Sequence, residues 1–148
     1  MNEALSIEKV SGGEGLESAD ETAVLRLFQQ YNHAIDRGEA ELWASLWTEN
    51  GIFEHPARTY VGRSELVQFV RDRATAGQAA SVGDLEHWNT DIDLQLDGVV
   101  VHATCRLLVA GVDRASREAV VAATGRYTDL IVREDDVWKF RRRSLKLG

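Results

Sequence analysis

Cys105 is the only cysteine in the 148 residues, so no intrachain disulfide can staple the fold and no thiolate cluster can hold a metal. A reducing cytoplasm fits that usage. No window of 18 apolar residues occurs, and the opening MNEALSIEKVSGGEGLE lacks the basic stretch followed by an apolar run that marks a secretory signal; neither a membrane span nor a cleaved leader is expected. Positive charge is also in deficit. A net charge of −7 repels phosphate backbones and anionic lipid, which argues against nucleic acid or a membrane as partner. Glycine-rich phosphate loops, nucleophile elbows and H-x-x-x-H ligand spacings are missing, so neither a cofactor nor a metal is expected. Internal repeats are missing too.

What is present fits one domain, residues 18–148, behind an acidic Gly/Glu leader over residues 1–17. Ser18-Ala19-Asp20-Glu21 has the form of a capping box, and Val24, Leu27, Phe28, Tyr31 and Ile35 recur at helical spacing until Gly38, predicting a helix over 19–37. At 100° per residue His33 falls opposite the apolar stripe, a solvated position, whereas Asp36 falls near its edge. A carboxylate in a last helical turn opposes the helix dipole and asks for a compensating role.

Leu42, Trp43, Leu46 and Trp47 predict a short second helix ending at Glu49-Asn50-Gly51. Two short strands, 52–54 and 59–61, flank Pro56, where His55 reads as a surface or rim residue. A third helix begins under a Ser64 cap and carries Leu66, Val67, Phe69 and Val70, followed by a loop over 76–84. From Leu85 onward the pattern is strands: 85–96, 99–112, 119–133 and 137–147, with turns at Asp97-Gly98 and Asp135-Asp136. Helices first and a long antiparallel meander second define an α+β fold. VVVHATCRLLVAGV is apolar on both alternating faces, which predicts a sheet covered on both sides, by the helices and by a partner subunit in a homodimer or homotrimer. His102 shares a strand face with Thr104 and Arg106 and reads as sheet surface or interface. The run Arg141, Arg142, Arg143 alternates between faces and reads as a solvated edge.

The order of these elements resembles the nuclear-transport-factor-2-like superfamily, and the details resemble its SnoaL-like branch. The similarity is carried by YNHAIDRGE, ELWASLWTENGIFEHP, YVGRSEL, LEHWNTDIDL, GRYTDLIVREDDVWKF and Arg143. The resemblance implies a curved, mostly antiparallel sheet wrapped around a pocket closed by three N-terminal helices, a cystatin-like α+β barrel. Its motifs are most similar to the scytalone dehydratase and hexachlorocyclohexane dehydrochlorinase type, in which an aspartate ending the first helix pairs with a histidine opening the first long strand. Asp36 and His87 stand at those positions. Two departures stand out: Tyr31 replaces the dehydrochlorinase-type lysine, and Ile35 stands where the dehydratase has a tyrosine.

A neutral imidazole can accept a proton near pH 7, and a carboxylate on its other nitrogen fixes the tautomer. The expected activity is therefore a cofactor-independent lyase or isomerase acting on a small apolar or cyclic substrate. Tyr31, Tyr127 and Arg143, the last placed near the pocket by the resemblance, are candidates to hold a departing group or an enolate. Trp43, Trp47, Phe53, Tyr60 and Trp88 supply aromatic surface for the substrate. Asp129, on one strand face with Tyr127, is either a second pocket acid or the salt-bridge partner of Arg143. Two alternatives stay open: a non-catalytic binding or assembly module of the same fold, and a hydrolase using a carboxylate-held water. Strict alternation raises a conflict, because it sets His87, Asn89 and Asp91 on one face of their strand and Ile92, Leu94 and Leu96 on the other. Either a bulge within 88–91 turns the strand or His87 points away from the pocket.

Overall fold

The computed structural model describes residues 16–148. The expected leader lies, up to residue 15, outside the described residues. Three helices precede most of the sheet: α1 (Ser18–Arg37), α2 (Ala40–Ser45) and α3 (Gly62–Ala79). The strands are β1 (Trp47–Glu54), β2 (Thr59–Val61), β3 (Val82–Asp97), β4 (Val100–Asp113), β5 (Ala119–Glu134) and β6 (Val137–Leu147). They form one six-stranded sheet in the order β2-β1-β6-β5-β4-β3. All pairings are antiparallel except β1 with β6. The architecture is the expected α+β arrangement.

Helical periodicity places Val24, Leu27, Phe28, Tyr31 and Ile35 against the sheet, where all five are buried. Gly38 stops α1. It adopts a left-handed φ of 71°, and the Glu39 N–H then donates back to the Ala34 carbonyl. Ser18 lies inside the helix and caps nothing, the N-cap being Glu17. The neighbouring Asp20 instead accepts a hydrogen bond from Trp138 Nε1 at 3.1 Å, tying the start of α1 to β6.

Two other boundaries differ from expectation. Trp47 opens β1 instead of continuing α2, because its backbone pairs in parallel with Phe140 of β6. α3 starts at Gly62, two residues before Ser64, and Glu65 Oε1 accepts the Val61 N–H at 3.0 Å where a serine cap was expected. The expected loop 76–84 is largely absorbed by the end of α3 and the start of β3.

β3 resolves its own conflict with a bulge. Its register against β4 shifts between Thr90 and Asp93, and Asp91 takes a positive φ of 53°. Aspartate tolerates that region better than most residues. Leu85, His87 and Asn89 therefore face inward on one side of the bulge, and Ile92, Leu94 and Leu96 face inward on the other. A second shift in the β5–β6 register, beside Arg141, lets Trp138 and Phe140 point inward before it and Arg143 and Leu145 after it. The solvated-edge reading of the arginine run is thereby corrected: β6 is an interior strand, Arg143 is buried, and Arg142 pairs with Glu54 while Arg141 is exposed.

The outer face of β4 is more polar than its sequence implied. Val101, Ala103, Cys105, Leu107 and Val109 are buried, but His102, Thr104 and Arg106 are exposed on the other side.

The bulge makes a stability prediction. Asp91→Val, which places a β-branched residue at positive φ, is expected to cost about 1–2 kcal/mol, whereas Asp91→Gly stays near neutral. Urea unfolding of both variants checks it, and equal losses would contradict the role of the backbone angle.

Candidate active site

α1 and β3 are joined by two polar links whose spacings match. Four helical residues advance about 6 Å and two strand residues about 6.7 Å, so Asp36 and Asn32 on α1 can meet His87 and Asn89 on β3 in antiparallel order. They do: Asn32 Nδ2 donates to Asn89 Oδ1 at 2.8 Å, and Asp36 Oδ1 lies 2.6 Å from His87 Nδ1. The backbone N–H of His87 also donates to Asp36, at 3.0 Å to Oδ2 and 3.2 Å to Oδ1. A carboxylate receiving a main-chain N–H is an acceptor, so the Nδ1 position carries the ring proton and Nε2 keeps the lone pair. The side chains of His87 and Asp36 are 8% and 17% exposed.

On its other side the imidazole meets a cation. Arg73 Nη2, from α3, lies 3.5 Å from His87 Nε2. Burial holds His87 below the ordinary imidazole range, the hydrogen bond it donates to Asp36 opposes that, and the positive charges of Arg73 and Arg143 reinforce it. His87 is therefore neutral at pH 7. His55, half-buried against Phe53 and Phe69, is also lowered by burial and by Arg73.

The dyad separates two shallow grooves. One, of about 240 Å³, is lined by His87, Asn89, Asn32, Phe28, Leu25 and Ile92 together with Gln29 and the exposed His33. The other, of about 270 Å³, includes Asp36, Arg73, Gly38, Ala74 and Leu85.

The remaining expected site residues divide. Tyr31, Tyr127, Asp129 and Arg143 form a sealed polar cluster. Arg143, fully buried, donates from Nε to Asp129 Oδ1 at 2.8 Å and from Nη2 to Oδ2 at 3.2 Å, and its guanidinium carbon lies 3.5 Å from the Tyr127 ring centre and 4.4 Å from that of Tyr31. Of the two readings of Asp129, the salt bridge is the one the geometry supports. Burial pushes Asp129 up to about 6 against the pull of Arg143, and burial raises both phenols, which stay protonated. Burial likewise pushes the Cys105 thiol up to about 11, leaving it a poor nucleophile. None of these residues hydrogen-bonds His87, whose side-chain partners among the described residues are Asp36 and Arg73.

The aromatic expectation needs a larger correction. Trp43, Trp47 and Phe53 do not line an open pocket; at 0–1% exposure they pack on one another and on Tyr31 as the core. Trp88 sits on the opposite face of β3 from His87, 56% exposed. Tyr60 is half-buried against Phe69, with Arg58 over its ring. Asn32, Asn89 and Arg73 also border the grooves, and no sequence motif marks them. Their signals were positional: Asn32 precedes Asp36 by one helical turn, Asn89 follows His87 by one strand repeat, and Arg73 continues the inward stripe Leu66, Val70, Gly77 of α3. Among the described residues no group of three or more His, Cys, Asp or Glu side chains is arranged to hold a metal, and no helix is long and apolar enough to cross a membrane.

The helix-covered, mostly antiparallel sheet has the cystatin-like, nuclear-transport-factor-2-like fold. A family model described as a SnoaL-like domain matches residues 16–144, and the chain belongs to that family. Among solved structures it is similar to a protein of unknown function from Mycobacterium tuberculosis, with 23% identity, 89% of this chain and 78% of that one covered, and a TM-score of 0.79. It is also similar to a candidate scytalone dehydratase from Novosphingobium aromaticivorans, with 21% identity, coverage of 88% and 85%, and a TM-score of 0.72. A third is LinA, with 20% identity, coverage of 88% and 86%, and a TM-score of 0.74. At these identities the likeness is one of fold. No curated protein matches the chain.

The sealed ion pair makes its own prediction. Asp129→Ala leaves a buried guanidinium without its counter-charge and is expected to cost about 3–5 kcal/mol. Asp129→Leu combined with Arg143→Met should cost less than that, because both charges then leave the core. Urea denaturation of the single and double variants decides it.

Proposed function

We propose that this SnoaL-like domain is a cofactor-independent lyase or isomerase for a small molecule, with His87 as general base and Asp36 as its orienting partner. The 2.6 Å contact between Asp36 and His87 Nδ1 carries the reading. It leaves Nε2 as the acceptor, and a neutral ring at pH 7 can take a proton from carbon. As the C–H bond breaks, its electron pair forms either an enolate or a double bond with loss of a group from the adjacent carbon. The imidazolium that results is stabilised by Asp36.

A groove of about 240 Å³ sits just below the roughly 300–1,000 Å³ of common ligand sites, which favours a small substrate. Phe28, Leu25 and Ile92 favour an apolar or cyclic one. The likeness to a candidate scytalone dehydratase and to LinA points the same way. Arg143 and Tyr31 enter this reading through their charge and packing, not by touching the substrate.

The competing reading is a non-catalytic binding or assembly module, favoured by an interior that Trp43, Trp47 and Phe53 already fill. Exchange of substrate protons with deuterated solvent separates the two. Hydroxy-ketones and halogenated rings are the probes. His87→Ala is expected to lower exchange by roughly 10²–10⁴. The acid limb of the wild-type pH profile should lie below the ordinary imidazole value of about 6.5, because the folded base is depressed and remains unprotonated below that pH. Asp36→Asn, which removes the group opposing that depression, should move the limb lower still. Indifference of exchange to both variants would leave the module reading.

Self-association as a homodimer or homotrimer belongs to the same proposal. Half-buried Leu108, opposite exposed Trp88 on β3, and half-buried Leu130 further along the sheet give its outer face an apolar component. Light scattering at micromolar concentration should give twice or three times the chain mass of 16.5 kDa, and a monomer mass would refute it.

A further inference from the structure

Arg73 is the charged residue on the inward stripe of α3, half-buried between Val70 and Gly77. Among the charges around it, Arg71 pairs with Glu41, Arg58 pairs with Glu65, and Arg114 donates to three carbonyls at the end of α3, while exposed Arg37 and Asp84 line the same groove without an ion pair among the described residues. Arg73 makes no ion pair among the described residues. Of the two acids that share its groove, Asp36 has both oxygens turned to His87, and Asp84 makes no ion pair with Arg73. What Arg73 does touch is the lone-pair nitrogen of His87, at 3.5 Å, a long and weak contact for a guanidinium that is suited to bidentate carboxylate binding.

We propose that Arg73, which lines the groove on the Asp36 side and reaches His87 Nε2 at the border with the groove of Phe28, Leu25 and Ile92, is the specificity-determining residue and binds a carboxylate on a substrate that spans this border, so that the molecules this protein accepts are small organic acids. The inference deepens the reading of His87 as a base and rests on it for its second consequence. Free of ligand, the guanidinium sits against Nε2 and opposes its protonation. When a carboxylate arrives, it draws the guanidinium into a paired contact and cancels its charge. The lone pair of Nε2 is then released toward the substrate, at a nitrogen whose protonation is no longer penalised. Arg73 thus couples recognition of the acid group to activation of the base.

Charge-selective binding tests this without turnover. The nitrogen resonances of the His87 imidazole are followed while benzoate, or its uncharged counterpart benzamide, is titrated into the wild-type protein, Arg73→Gln and Arg73→Lys. Benzoate is expected to shift the Nε2 resonance saturably and to raise the titration midpoint of His87. Arg73→Gln should weaken benzoate binding at least tenfold with an unchanged urea midpoint, Arg73→Lys, which keeps the charge but loses the bidentate fork, should fall between Arg73→Gln and the wild type, and benzamide should produce no saturable shift. Equal binding of benzoate and benzamide, or benzoate binding untouched in Arg73→Gln, would overturn the proposal. A guanidinium that only props the imidazole would alter the His87 titration in Arg73→Gln without any such ligand selectivity. The two readings also fail separately. Charge-selective binding with no His87-dependent exchange would remove the base and keep the anion site; His87-dependent exchange of neutral ketones with benzoate ignoring Arg73 would do the reverse.

Discussion

One residue out of step in β3 makes the site possible. A strand alternates its faces with a period of two, so Leu85, His87 and Asn89 cannot share a side with Ile92, Leu94 and Leu96 unless one residue is lost from the count. Asp91, at a φ of 53° and ion-paired with Arg106 at 2.9 Å, absorbs that residue. The half of the strand before the bulge can then present polar groups to α1, and the half after it can present aliphatic ones to the core. α1 answers in kind, with Asp36 and Asn32 near its C-terminal end and Phe28 and Leu25 further back. The register between helix and strand is set by the polar pairs at one end and the apolar contacts at the other. Gly38 ends the helix where the match ends, which leaves Asp36 in the last turn, and two donors from His87 compensate a carboxylate that the helix dipole disfavours.

The molecule holds two acid–base pairs of different character. Asp129 and Arg143 are both shut away from solvent, linked by two hydrogen bonds and walled by Tyr31, Tyr127, Phe28 and Phe140. Removing charges so far from water is costly, and the attraction between them is what offsets the cost, so the pair specifies how β5 and β6 sit more than it adds net stability. Asp36 and His87 are mostly covered but keep an exposed edge that borders open grooves. Proton transfer needs the second situation and not the first, since a base must be reachable by the molecule it deprotonates. Arg143 still reaches the site through its field, because its charge opposes that of a protonated His87.

Much of the fold was legible in the sequence, for identifiable reasons. The apolar stripe of α1 and the turn pairs Asp97-Gly98 and Asp135-Asp136 are local signals, and the elements they bound lie within a few residues of where they were expected. The pairing of Asp36 with His87 is implied by resemblance alone and by no local pattern; in the structure Asp36 Oδ1 lies 2.6 Å from His87 Nδ1. Where the reading failed, tertiary pairing overrode a local pattern. Leu42, Trp43, Leu46 and Trp47 carry helical spacing, but Leu42 is exposed and Trp47 is drawn into a parallel pairing with β6. Arg143 looked like part of a solvated edge because nothing local reveals that β6 lies between β1 and β5. A run of aromatic residues is equally compatible with a pocket wall and with a packed core. The partner atoms decide, and Trp43 and Trp47 find each other and Tyr31.

Those same partner atoms give His87 opposite neighbours on its two nitrogens. The carboxylate on Nδ1 favours the imidazolium, the guanidinium beside Nε2 opposes it, and burial tips the balance to a neutral ring. A base held that way is weaker than free histidine in the resting protein, which would be a poor design if the environment stayed fixed. It does not need to stay fixed. Asp36 is locked to β3 through the main chain of His87, whereas Arg73 reaches the ring from a separate helix on a long side chain with no ion pair among the described residues. The favourable neighbour is therefore tied to the main chain of His87 and the unfavourable one is not. Any ligand that engages the guanidinium shifts the balance toward proton uptake, at the moment when a donor molecule is in place.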